Sequence, residues 1–333
     1  MPADIRILAP VASFADAQLI IAAGADLVYC GYLPTGWGAQ MGELESISRR
    51  QGRPAHITDE GELAAVAEFA RSRGCEALLT LNGHYTPLQA AQVLHLAERW
   101  EQLGGTGLMV ADIGLIATLH ERGSTLTLCA SILTGVFNSA TVHFLAGLGA
   151  TRVVLPRELS LEEVCLLTSS APVVEYEMIV LHQRCPFIDG FCRFYHGSRI
   201  PDGLPAAFPY TITKEGNAVA ALIDPDYEGH GCQLNWHTDE GDVGLQFRPD
   251  ECEPPCAACR LSELAAAGVS IAKVAGRGYP PDLIARSVAF LAQARAFGHG
   301  HDAAAMIRDL YRETFGTACS EHDCYYGAPG GTR

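Results

Sequence analysis

Apolar residues along this chain recur in short runs that alternate with stretches of helical period. Runs rich in branched side chains occupy positions 5–9, 26–31, 77–82, 107–112, 125–131, 151–156 and 173–181. Between them, 13–23, 58–73, 87–103 and 161–169 repeat apolar residues three and four apart, as a helix covering one face does. Ser160 with Glu163 three residues on gives the last of these a capping box. Strands alternating with amphipathic helices predict right-handed crossovers and a parallel sheet. An eighth run at 269–275, with a helix over 280–297, returns after a long gap. Eight strand–helix units fit an α/β (β/α)8 TIM-barrel-like domain. An open doubly wound sheet has the same periodicity and remains the alternative.

The gap differs in texture. Residues 184–264 carry Gly, Pro, aromatics and half of the cysteines. They read as an insertion between the last two strands. The expected organisation is seven β/α units at 1–181, a cysteine-rich insertion at 182–268, the last unit at 269–315 and a tail at 316–333. In a barrel the carboxyl ends of the strands share one face, where functional groups collect. Asn82, Asp112, Ser131, Arg157 and Arg277 fall at or just beyond such ends, and the insertion leaves from the same face.

Composition narrows the function. Hydrophobic residues at 48% and charged residues at 18% describe a globular chain with a substantial core. A net charge of −15 repels a phosphate backbone and argues against general nucleic-acid binding. No run approaches the roughly 18 apolar residues of a membrane helix, and the first residues lack a secretory pattern. The expectation is a cytoplasmic protein. In that reducing compartment 12 cysteines point to metal or cluster ligation rather than disulfides.

Cys185 and Cys192 flank an Asp189-Gly190 turn, Cys232 follows a Gly-His-Gly run, and Cys252, Cys256 and Cys259 crowd together. Four thiolates suit an iron–sulfur cluster, and zinc accepts the same set, so spacing leaves the metal open. Cys75, Cys129 and Cys165 sit in apolar settings and read as packed thiols. Cys319 and Cys324 form a further pair, either a second redox feature, auxiliary ligands or part of a frayed tail.

These residues resemble the collagenase-like peptidase U32 family. Its signature places a glutamate eight residues before a cysteine, then four residues, a glycine, one residue and a second cysteine; Glu177, Cys185, Gly190 and Cys192 match. Gly24-Ala25-Asp26-Leu27-Val28-Tyr29, the stretch from Arg152 to Ser160, and Lys273-Val274-Ala275-Gly276-Arg277 resemble other family segments. Ile179, His182 and Gln183 depart from it. The resemblance implies a 4Fe–4S cluster on Cys185, Cys192, Cys232 and Cys256, with Cys259 or Cys252 as alternates for the fourth place. It also implies oxygen-independent hydroxylation, known in the family for RNA bases and the ubiquinone ring, with prephenate a proposed oxygen donor.

For chemistry, Arg157 and Arg277 are expected to clamp a small anionic, prephenate-like donor, because guanidinium binds carboxylate bidentately. Glu177 is expected either to pair with one of those arginines or to act as an acid/base group. His182 is the candidate base. The acidic balance favours a small-molecule, peptide or carrier-bound substrate. No H-E-x-x-H or G-x-S-x-G supports the peptidase alternative. A cluster-carrying accessory protein with an electron-transfer or homologous partner is the other reading. A polar barrel mouth would favour catalysis over it.

Overall fold

The computed structural model describes residues 5–37, 47–48, 55–182, 188–191, 211–214, 217–221, 235–238, 241–244, 254–298, 302–319 and 324–326. Its strands are β1 Arg6–Pro10, β2 Leu27–Cys30, β3 Glu76–Leu81, β4 Gly107–Val110, β5 Thr127–Ala130, β6 Arg152–Val154 and β7 Glu175–Leu181. The hairpin strands β8 Thr211–Lys214, β9 Asn217–Ala221, β10 Asn235–Thr238 and β11 Gly241–Gly244 follow, and then β12 Val269–Val274. β1 to β7 and β12 close into a barrel in the order β1-β12-β7-β6-β5-β4-β3-β2. Every pairing in it is parallel. The eight strands coincide with the eight apolar runs, and closure decides for the (β/α)8 barrel over the open sheet.

Helices follow the strands for local reasons. Ser13, Asp59, Thr86, Asn138 and Ser160 each accept an amide hydrogen bond at a helix start, where backbone donors have no partner within the helix. The capping box of Ser160 and Glu163 forms as expected. Alternate strand positions face opposite ways. One set packs outward against the helices; the other, Leu8, Leu27, Tyr29, Leu78, Met109, Cys129, Val154 and Ile271, fills the barrel.

The amino-terminal end is closed by charge. Arg152 is 1% exposed and donates to Glu76 at 2.9 Å and to Glu175 at 2.7 Å, while Arg6 pairs with both carboxylates. These residues begin β1, β3, β6 and β7, so strand register alone brings them together. Burial works against the Glu76 carboxylate, but Arg152 and Arg6 together hold its pKa below the usual range.

The chain divides into a barrel unit, residues 1–48, 53–192 and 253–333, and a second unit, residues 49–52 and 193–252. Described elements of the second are the antiparallel pairs β8–β9 and β10–β11. Helix Leu261–Ala266 packs against β12 as part of the barrel unit.

Candidate active site at the carboxyl mouth of the barrel

Glu177 lies in the middle of β7, with its side chain turned into the barrel and no exposure. An isolated carboxylate there would be costly without a counter-charge. Lys273 on the neighbouring strand β12 supplies it, with Nζ 2.8 Å from Oε1. The ammonium also lies 4.5 Å from the centroid of the Tyr29 ring and 3.1 Å from Met109 Sδ. Burial works against the Lys273 charge, but Glu177, Tyr29 and Cys129 outweigh it and the pKa is raised. Cys129 Sγ stands 3.8 Å from Glu177 Oε2; its burial and that carboxylate push the thiol far above its usual range. The expected partnership of Glu177 with Arg157 or Arg277 is therefore corrected. Both arginines lie beyond strand ends, whereas Glu177 sits several residues before the end of β7, opposite Ile271, and Lys273 reaches it from the next inward position of β12.

Arg157, 7% exposed, is held by Asp189, with Nε 3.0 Å from Oδ2 and Nη2 2.6 Å from Oδ1. Arg277, 4% exposed, donates from Nη2 to Ser48 Oγ at 3.0 Å. The same hydroxyl lies 3.0 Å from His56 Nε2, and both Ser48 and His56 are buried. Gly31, just beyond β2, makes this approach possible. A Cβ there would stand 2.2 Å from Arg277 Nη1 and 2.7 Å from His56 Cδ2. Sequence reasoning missed Ser48 and His56, which lie between strands without periodic pattern. Gly31 was the one local signal.

Asp112 and Ser131 turn out to be caps. Asp112 accepts from the amides of Gly114 and Leu115 at the start of helix Ile113–Glu121, and from Tyr85. Ser131 caps the short turn Ile132–Thr134. Asn82 is half-buried just past β3.

His182 follows β7 in a left-handed conformation, φ 64°, which histidine adopts more readily than most residues. Its amide donates to Pro255 O at 2.8 Å, and its carbonyl accepts from the Tyr325 hydroxyl. Nε2 lies 2.8 Å from Ser287 Oγ, whose own proton goes to Leu283 O. Nε2 is therefore the donor. Burial, with Arg286 nearby, lowers its pKa to about 3, so the ring is neutral at physiological pH.

Cys185, Cys192, Cys232 and Cys252 lie outside the described residues. Cys256 and Cys259 lie within them, at the carboxyl end of β7, where Cys256 bridges to Leu181. Ala258 N donates to Cys256 Sγ at 3.2 Å. Packed thiols are seen for Cys75, which is half-buried, and Cys129, which is buried; Cys165 is exposed.

Residues 12–314 match peptidase family U32. The chain belongs to that family. Among curated U32-like relatives, it is 35% identical over 91 residues to "tRNA hydroxylation protein P" of Escherichia coli (strain K12), covering 27% of this chain and 20% of the relative. It is 26% identical over 234 residues to "23S rRNA 5-hydroxycytidine C2501 synthase" of the same organism, covering 68% and 32%. It is also 26% identical over 161 residues to "Collagenase" of Porphyromonas gingivalis (strain ATCC BAA-308 / W83), covering 48% and 35%. The matched region thus spans between a fifth and about a third of these relatives. Among the described residues no helix is long and apolar enough to cross a membrane.

Proposed function

We propose that this U32 chain is an enzyme that replaces a C–H bond by C–OH without molecular oxygen, on a ring presented at the carboxyl mouth of the barrel. The observation carrying the reading is the polar lining of that mouth. Ser48, His56 and Arg277 form one hydrogen-bonded group, and Arg157 with Asp189 forms another. A barrel serving only as scaffold has no reason to desolvate so many polar groups. Two relatives named for RNA hydroxylation support the reaction type and put an RNA base first among substrates. The acidic composition disfavours a long phosphate contact, yet a single unpaired base needs only the mouth. Small aromatic, peptide and carrier-bound substrates are the other arm of the test.

Arg277 would receive an anionic oxygen donor of the prephenate type, with Ser48 and His56 orienting it. Arg157 would exchange Asp189 for the same ligand. Cys185, Cys192 and Cys232, with a fourth from Cys252, Cys256 or Cys259, would hold a 4Fe–4S cluster. The donor chemistry fits: Cys256 is buried and already accepts an amide hydrogen bond, as cluster sulfurs do. Bound there, the cluster would supply electron transfer beside the substrate. His182, neutral and tied to Ser287, would keep the exit from β7 in shape.

The test compares nucleosides and small aromatic metabolites by mass spectrometry in cells lacking the gene, complemented with wild type or Arg277→Ala. A product heavier by one oxygen, present only with wild type, is expected. Identical profiles in both classes would discard hydroxylation. The relative named collagenase and the Ser48–His56 contact support a second reading, a peptidase with Ser48 as nucleophile. Covalent labelling of Ser48 by a fluorophosphonate would favour it.

A further inference from the structure

Residues 324–326 lie beyond the family match, which ends at residue 314, yet they are packed into the barrel unit. Cys324 and Tyr325 are both buried, Tyr325 at 1% exposure. Three distant parts of the chain pair side by side at the exit from β7. Leu181 bridges antiparallel to Cys256, and Cys256 bridges parallel to Cys324. Ala257 N donates to Val180 O at 2.8 Å, and Tyr325 N to Cys256 O at 3.2 Å. Helix Ala303–Phe315 leads the chain there, with Tyr311 donating its hydroxyl to Pro254 O at 3.0 Å.

What this arrangement encloses is a strained residue. Among the described residues His182 is the one non-glycine residue with positive φ, at 64°. An L residue is disfavoured there, and such a conformation persists where its surroundings over-determine it. Four segments do so for His182. Its amide donates to Pro255 O, its Nε2 to Ser287 Oγ, and its ring stands edge-on to Tyr279 with centroids 5.6 Å apart. The fourth hold is the Tyr325 hydroxyl, which donates to the His182 carbonyl. The first three come from inside the family match and the fourth from beyond it. Burial pushes the Tyr325 phenol up, so it remains a protonated donor at neutral pH.

Position gives the strain a use. His182 joins the strand that carries Glu177 to the signature stretch, and Cys185 follows three residues on. A left-handed residue sets the direction in which the chain leaves a strand. Were its φ to return to an ordinary region, the chain would leave β7 on another course. Cys256, paired with the same strand end, would then lose its setting relative to that stretch. The next hydroxyl along, that of Tyr326, donates instead to Met178 Sδ at 2.9 Å, in the body of β7.

We propose that Tyr325 is a positioning residue: its hydroxyl holds His182 in the left-handed turn that aims the Cys185 stretch and Cys256 at one site. The hold on His182 stands on described atoms. Its consequence for iron rests on the cluster reading above.

The test uses the full chain with Tyr325→Phe, which keeps the buried ring and removes the hydroxyl. Tyr326→Phe, from the same stretch, is the matched control. In Tyr325→Phe the His182 and Ala257 amides should exchange hydrogen about tenfold faster, as expected for one lost hydrogen bond, with β3 and β4 unchanged. Tyr326→Phe should leave those amides at wild-type rates. Iron per chain after anaerobic purification should fall in Tyr325→Phe and hold in Tyr326→Phe. Wild-type exchange at His182 in Tyr325→Phe would overturn the proposal. Exchange raised across the whole barrel, or equally in both variants, would make the hydroxyl a general prop and overturn it too. So would equal iron in all three proteins. Iron absent from wild type would sink the cluster reading alone, and the exchange rates would still decide the role of Tyr325.

Discussion

Replacing Glu177 by Gln removes the carboxylate facing Lys273 while leaving its shape. Breaking a buried pair from one side costs about 3–5 kcal/mol, because the surviving charge is left unpaired. Against a total stability of roughly 5–15 kcal/mol this is a large fraction. The pH dependence identifies the cause. In wild type the folded pKa of Lys273 lies above its unfolded value, about 10.4, so its contribution is present below that pH and is lost as pH rises through the folded value. In Glu177→Gln, burial acts without its opponent and the folded pKa falls below the unfolded one. The penalty is then full at neutral pH and fades as pH rises toward 10.4. Urea unfolding at pH 7, 8.5 and 10 should show the variant converging on wild type. Glu177→Gln/Lys273→Met should recover most of the loss at pH 7, the ammonium being gone. A loss below about 1 kcal/mol at pH 7, or parallel curves across the three pH values, would refute the pairing.

Gly31→Ala should cut turnover at least tenfold, because the new methyl group collides with Arg277 and His56 and presses on the backbone oxygen of Ala55 at 3.0 Å. Steady-state kinetics on the identified substrate check it. Arg152→Met should lower stability by about 1–2 kcal/mol in urea titration, because Glu76 and Glu175 lose their buried partner but keep Arg6, yet leave the activity of the folded fraction intact. His182 binds a proton in the unfolded chain near pH 6.5 but only near 3 when folded. Stability is therefore complete above 6.5 and declines as pH falls toward 3, by roughly 5 kcal/mol at most. His182→Asn should flatten that part of the curve, and in wild type the ring should show no NMR titration between pH 5 and 8.

All eight barrel strands were legible because inward and outward positions are both apolar in a parallel barrel, which makes each strand a conspicuous run. Helices Ile113–Glu121 and Ser139–Gly147 were not singled out. Both are short and apolar on several sides, so no polar face marks their period. Their caps, Asp112 and Asn138, stand where a mouth ligand would stand. A carboxylate at a strand's end can bind substrate or the next helix's amides, and sequence alone cannot separate the two. The Glu177–Lys273 pair was half legible. The glutamate stood out as a charge in an apolar run, but the lysine did the same one strand over and was read only as part of a family segment. Alternation along β7 and β12 turns both inward, which is a signal that pattern reading contains. Ser48 and His56 left no such trace, since neither falls in a described strand or helix and no apolar period in the sequence marks their place.

The three charged groups of the barrel differ in how completely they are closed. At the amino end, Arg6, Glu76, Arg152 and Glu175 pair with one another from the strands, with only Arg152 Nη1 left without a hydrogen bond among these pairings, where no ligand needs to enter. In the middle, Glu177 and Lys273 do so from adjacent strands. At the mouth, the partners come from segments outside the barrel strands: Asp189 for Arg157 and Ser48 for Arg277. Strand-borne pairs are fixed by register and can separate only if the sheet opens. A partner on a connecting segment can move away at the cost of a local rearrangement. Among these described groups, Arg157 and Arg277 are thus the cations that a ligand can claim without unfolding the barrel. This is why the proposed anion site is placed at the mouth, although Lys273 carries the deeper charge.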